Sequence, residues 1–99
     1  MTPEGKVKAG VKRQLDKLGA FYFMPATGGY GVSGLSDIVG CHMGRFFAIE
    51  CKTRGKHPTP LQLVFMKRVI DNGGIAFVIN EDNLEEVSER LGHNGRPAL

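Results

Sequence analysis

The stretch DIVGCHMGRFFAIECK, residues 37–52, constrains this chain more than any other. It reads as two short strands, 37–43 and 45–52, separated only by a tight turn at Met43-Gly44. Strands joined so closely pair antiparallel, which brings the beginning of the first beside the end of the second. Side chains alternate across a strand. Phe47, Ile49 and Cys51 therefore share one face, and Phe46, Ala48, Glu50 and Lys52 the other. An acid and a base thus stand side by side at the end of an apolar strand, where burial without partners is costly. Asp37, at the head of the neighbouring strand, is expected to face Glu50.

The flanking segments fall into alternating helices and strands. Thr2-Pro3 opens a helix, with Thr as cap and Pro at the first helical position. Val7, Val11, Leu15 and Leu18 recur at helical spacing before Gly19 stops it. Residues 20–25, AFYFMP, read as a strand ended by Pro25, and residues 27–36, TGGYGVSGLS, as a glycine-rich loop. A basic loop, TRGKHP, covers 53–58. Thr59-Pro60-Leu61-Gln62 is a capping-box pattern that opens a helix running to about Asn72, with Gly73-Gly74 after it. The apolar run 75–79, IAFVI, predicts an internal strand. Residues 82–91 predict a last helix, capped near Asp82, followed by a flexible tail over 93–99. The expected fold is α/β in the order αβββαβα, a mixed central sheet flanked by helices, in a single domain over residues 1–92.

Charge and composition narrow the function. A chain of 99 residues is one domain's worth. The net charge is only +3, but it is unevenly spread. Lys6, Lys8, Lys12, Arg13 and Lys17 lie near the start, and Arg45, Lys52, Arg54, Lys56, Lys67 and Arg68 in the middle. Glu81, Asp82, Glu85, Glu86 and Glu89 make the following segment acidic. A basic body with an acidic end suggests an oriented anionic partner, most commonly nucleic acid. No apolar run is long enough to span a membrane, and the N-terminus lacks the apolar region of a signal peptide. Cys41 and Cys51 lack zinc-site spacing and read as free thiols of a cytoplasmic protein.

Two carboxylates converging near a backbone carbonyl make a hard oxygen site, of the kind Mg²⁺ or Mn²⁺ prefers. Such a cation lowers the pKa of a bound water and polarises a phosphate oxygen. Lys52 beside it is suited to orienting the attacking water or offsetting charge on the phosphorane. A surface ion pair between Glu50 and Lys52, with Asp37 capping a turn, accounts for the same spacing without chemistry.

Asp37 followed by Glu50-Cys51-Lys52 resembles the D…(D/E)-X-K signature of the PD-(D/E)XK nucleases. The likeness is closer to one branch, the virus-type replication-repair nuclease (VRR-NUC) domain. That branch combines an early helical Glu, a Gly-X-Pro-Asp loop, an E-X-K strand and a Gln opening the next helix. Here these read as Glu4, Gly34-Leu35-Ser36-Asp37, Glu50-Cys51-Lys52 and Gln62, over about residues 2–80, with Ser36 standing where the family usually has Pro. The resemblance implies Mg²⁺- or Mn²⁺-dependent DNA cleavage. Asp37, Glu50 and the Cys51 carbonyl would be metal ligands, Lys52 the catalytic lysine, and Glu4 and Gln62 further catalytic residues. Standalone members resemble Holliday-junction resolvases, which implies branched DNA such as a four-way junction as substrate. A two-fold dimer then follows from the substrate's symmetry, with helices 59–73 and 82–91 as candidate interface. A nuclease without junction preference and a non-catalytic nucleic-acid-binding module on the same fold are the alternatives.

Local accounts compete for several of these residues. Glu4 in a first helical turn favours the helix dipole, but its spacing to Val7 and Val11 sets it on the core-facing stripe, pointing at the sheet. Gln62 completes the capping box as well as being a candidate for phosphate or metal-bound water. Arg54, Lys56 and His57 are either DNA-phosphate contacts or a solvated loop, and Tyr30 either stacks on a base or packs down. Cys51 is expected to bury an inert thiol.

Overall fold

Seven elements follow one another in the computed structural model, which describes residues 1–26 and 32–92. They are α1 (Pro3–Leu18), β1 (Phe21–Phe23), β2 (Ile38–His42), β3 (Arg45–Cys51), α2 (Pro60–Asp71), β4 (Ile75–Ile79) and α3 (Glu86–Gly92). The order is αβββαβα, as the sequence predicts. The strands form one mixed sheet in the order β1-β2-β3-β4. β1 and β3 both pair antiparallel with β2, while β4 runs parallel to β3. Antiparallel neighbours accept short turns, whereas the parallel step needs a crossover, which α2 supplies.

The helices are delimited by local chemistry. The Thr2 hydroxyl accepts from Gly5 N at 3.0 Å, capping α1 at its start. At its end Gly19 turns left-handed, with φ 74°, and the Gly19 and Ala20 amides close onto Asp16 and Leu15 carbonyls. β1 covers Phe21–Phe23 where 20–25 is predicted; at its start the Ala20 N–H is already committed to the helix end. Met43 (φ 50°) and Gly44 (φ 84°) turn β2 into β3 with two left-handed residues, the geometry that matches strand twist.

The sheet is covered on both faces. Val7, Val11 and Leu15 of α1 and Val87 and Leu91 of α3 pack with Ile38, Phe47, Ile49, Cys51, Phe77 and Ile79. On the other face α2 sets Phe65 and Val69 against Val39, Ala48 and Ala76. Gln14 of α1 locks α3 in place by taking the Ser88 hydroxyl at 3.0 Å.

Several expectations are corrected here. β4 is not internal but forms the sheet's edge. Its apolar run reflects helices on both faces rather than strands on both sides. The last helix starts at Glu86, not near Asp82. Side chains in 80–83 bind the backbone instead of capping a helix: Asn83 Oδ1 accepts from Asn80 N and Asn80 Oδ1 from Asp82 N, both at 2.7 Å. Nor do both C-terminal helices offer an apolar outer face of equal standing. Val87 and Leu91 of α3 are spent on the core, whereas α2 exposes Leu61, Leu63, Val64 and Ile70. Tyr30 and the expected tail, 93–99, lie outside the described residues.

The loop entering β2 leans on the start of α2. Gly34 is left-handed, φ 70°, and a Cβ there would run into the Leu61 carbonyl and lie 2.8 Å from Gln62 N. Gly34→Ala is therefore expected to destabilise the fold by about 2 kcal/mol or more, measured by urea unfolding. A loss below about 0.5 kcal/mol would show that the loop can move away freely.

Candidate active site

Glu50 sits at the end of the best-covered strand. β3 has a neighbour on each edge and helices on each face, so the Glu50 side chain is almost fully buried, at 1% exposure. Its Oε2 lies 3.2 Å from Lys52 Nζ, whose side chain is 16% exposed. Its Oε1 is buried with no hydrogen-bond partner. Burial pushes the Glu50 carboxyl above its usual range, and the negative charge of Asp37 adds to this. Lys52 and, to a lesser extent, the Asp37 backbone N–H oppose both without cancelling them.

Asp37 lies one residue ahead of β2. The pairing of Ile38 with Ile49 carries on to set Asp37 opposite Glu50. Asp37 Oδ2 accepts from the Cys51 backbone N–H at 2.8 Å, so the carboxylate is held to the very end of β3. Its Oδ1 faces Lys8 Nζ of α1 at 3.4 Å. The same ammonium lies 3.6 Å from Glu4 Oε2, one helical turn back. Partial burial is the largest single influence and works against the Lys8 charge, but the attractions of Asp37 and then Glu4 together exceed it, so the Lys8 pKa is raised.

The Cys51 thiol reports the local field. It is buried in the core, as its strand position predicts, and burial followed by the carboxylates of Asp37 and Glu50 pushes its pKa up to about 12. Such a thiol is inert.

The site suits a divalent cation by its donors. Asp37 and Glu50 offer hard oxygens from adjacent strands, and the Glu50 Oε1 is a buried acceptor without a donor. Among the described residues no three or more Asp, Glu, His or Cys side chains gather closely enough to hold a metal by themselves. A cation here would take two carboxylates, a backbone carbonyl and water, the coordination Mg²⁺ tolerates.

The remaining sequence-predicted residues are placed less uniformly. Glu4 is half-exposed, its side chain 43% accessible, and it pairs with Lys8, which in turn faces Asp37; the fully buried stripe of α1 begins at Val7. Gln62 completes the capping box, its Oε1 accepting from Thr59 N at 2.8 Å and its own N donating to Thr59 Oγ1 at 3.2 Å. Arg54 is held by a two-pronged bond to Asp82, with Nε and Nη2 at 2.9 and 2.6 Å. Lys56 and His57 are exposed on the same loop. Ser36, which precedes Asp37, is buried, and its hydroxyl has no partner. Lys8 was not distinguishable in sequence from its basic neighbours. The signal was its place four residues after Glu4, the spacing at which helical side chains meet.

No protein-family model matches the sequence, and no curated protein matches it. Among solved structures, one described as a VRR_NUC domain is similar, with a TM-score of 0.73 and 25% identity over 96% of this chain and 100% of that chain.

The raised Glu50 pKa has a sign that can be tested. An acid whose folded pKa exceeds its unfolded value costs stability once it ionises, so the cost appears as pH rises through the folded pKa and is absent below the unfolded one. Glu50→Gln is expected to stabilise the metal-free protein at pH 7 by roughly 0.5–2 kcal/mol. The gain should vanish towards pH 4 in urea melts. A variant less stable than the parent at neutral pH would contradict the assignment.

Proposed function

Because the chain is a VRR-NUC domain and so has a nuclease-type fold, we propose that it is a Mg²⁺- or Mn²⁺-dependent DNA endonuclease that hydrolyses phosphodiester bonds. One observation carries this reading. Glu50 is buried at the end of β3 with one oxygen unpartnered, in register with Asp37 and 3.2 Å from a lysine. A purely structural ion pair leaves no orphan acceptor, since an unmet buried oxygen costs stability. A non-catalytic binding module has no use for that cost.

In this reading Asp37, Glu50 and the Cys51 carbonyl hold the metal. When bound, the metal supplies a water of lowered pKa and polarises a phosphate oxygen. Lys52, released in part from Glu50, orients the attacking water or offsets charge developing on the phosphorane. The cap uses the Gln62 carbonyl oxygen, so its amide nitrogen is the end that serves the scissile phosphate or a bound water. Lys56 and His57 contact DNA phosphates, whereas Arg54 does so only by giving up Asp82. Tyr30, outside the described residues, is proposed to stack on an unpaired base. Branched DNA such as a four-way junction is the proposed substrate. A homodimer would meet its two symmetry-related cleavage points, and the exposed apolar side chains of α2 offer a surface for it.

The test incubates the protein with a synthetic four-way junction, the matching linear duplex and a single strand, each with Mg²⁺, Mn²⁺ or EDTA. Metal-dependent cutting, fastest on the junction, is the expected outcome. Cleavage that survives EDTA would sink the metal reading, and equal rates on junction and duplex would sink the junction preference. Asp37→Asn, Glu50→Gln and Lys52→Met should each reduce cleavage by about 100-fold or more while the protein stays folded.

Binding to DNA is testable on its own. Lys56→Ala should weaken duplex binding across sequences and lower the salt slope by about 0.9. An unchanged slope in filter binding at several salt concentrations would remove Lys56 from the interface.

A further inference from the structure

We propose that Lys8 is a resident counter-ion of the site, whose ammonium competes with a divalent cation for Asp37, and that Glu4 is the group that receives Lys8 when it leaves. The proposal rests on the metal-binding reading above. It departs from what the family resemblance implies, a catalytic Glu4, in making Glu4 a positioning residue that acts through Lys8.

The geometry of Asp37 carries the argument. Its two oxygens have different fates. Oδ2 is fixed by the Cys51 N–H at 2.8 Å, which ties it to the backbone. Oδ1 is the oxygen turned towards cations, and Lys8 stands 3.4 Å from it. On Glu50, Lys52 engages Oε2 and leaves Oε1 unpartnered. Of Glu50 Oε1 and Asp37 Oδ1, the first is buried without a donor and the second already faces an ammonium. A divalent ion shared by Asp37 and Glu50 must contend with Lys8.

Lys8 is poised to yield. Committed ion pairs elsewhere in the protein are short, with Lys67 2.6 Å from Asp71 and Arg90 2.9 Å from Glu86. Lys8 is farther from both its partners, 3.4 Å from Asp37 and 3.6 Å from Glu4, bridging two carboxylates without closing on either. Its flexible four-carbon stem is rooted one residue past the buried Val7, so the ammonium can pivot while the helix stays docked. Glu4, on the same helix face and more exposed, is where the ammonium moves when Asp37 turns to the metal. Three carboxylates and two lysines share the cluster. With Lys8 drawn outward to Glu4, the two carboxylates that remain face only Lys52 and the divalent charge.

The experiment is a Mn²⁺ titration of the free protein without DNA, read by the electron paramagnetic resonance of unbound Mn²⁺. Lys8→Met should tighten Mn²⁺ about tenfold, while Lys8→Arg, which keeps the charge, should stay within about threefold of the parent. Glu4→Gln should weaken Mn²⁺ about fivefold with Lys8 present and change nothing in the Lys8→Met background, because a residue that acts only through Lys8 has no effect once Lys8 is gone. Far-ultraviolet circular dichroism of each variant checks that the helix persists. In a parallel thermal melt, saturating Mn²⁺ should raise the Tm of Lys8→Met more than that of the parent. Equal or weaker Mn²⁺ binding by Lys8→Met overturns the competition. An equal loss from Glu4→Gln in both backgrounds makes Glu4 a direct ligand and overturns its positioning role. If parent and Lys8→Met both fail to bind Mn²⁺, the metal-binding reading falls with it, whereas binding by the parent that is indifferent to Lys8 sinks this inference alone.

Discussion

The register of β2 against β3 is the constraint from which the rest of the site follows. Ile38 pairs with Ile49, and the left-handed Met43-Gly44 turn holds that pairing. A slip of one residue would reverse every side chain on β2 and take Ile38, which is fully buried, out of the core under α1 and α3. Hydrophobic burial therefore enforces a register whose by-product is polar: Asp37 is carried to the end of β3, where Cys51 N–H fastens it opposite Glu50. The packing that stabilises the sheet also concentrates negative charge at its end.

That concentration works against the fold. Glu50 is buried beside another carboxylate with an oxygen unmet, and its pKa is raised as a result. Lys52 and Lys8 offset part of the repulsion from opposite sides, one from the end of β3 and one from α1. Neither covers the orphan Oε1. Functional sites commonly keep this kind of local cost, maintained by packing elsewhere. Here the compensating packing is the dense layer under α1 and α3, in which Phe47, Ile49 and Cys51 of β3 are buried.

Electrostatics also divide the surface loops. Arg54, the nearest basic side chain after the E-X-K strand, is turned back onto Asp82 by two hydrogen bonds, while its backbone N–H is taken by Glu81 at 2.7 Å. The acidic segment that follows the basic body in the charge pattern is thus partly an intramolecular clamp on the basic loop. It leaves Lys56 and His57 exposed beyond the clamp.

Local sequence alone determined much of the frame. Caps at Thr2 and Thr59, stops at Gly19 and Gly73, the hairpin turn and the alternation along β3 are short-range effects, legible because neighbouring residues cause them. From them followed the element order and the meeting of Asp37, Glu50 and Lys52. What only the tertiary structure decided depends on residues far apart in the chain. Lys8 reaches Asp37 because α1 docks across the sheet, Arg54 meets Asp82 because β4 returns beside β3, and β4 is an edge because no further strand pairs with it among the described residues. Periodicity reports which face of an element is apolar. It carries no record of which distant charge that element will meet, because such pairings are set by how helices and strands pack and not by the spacing within any one of them.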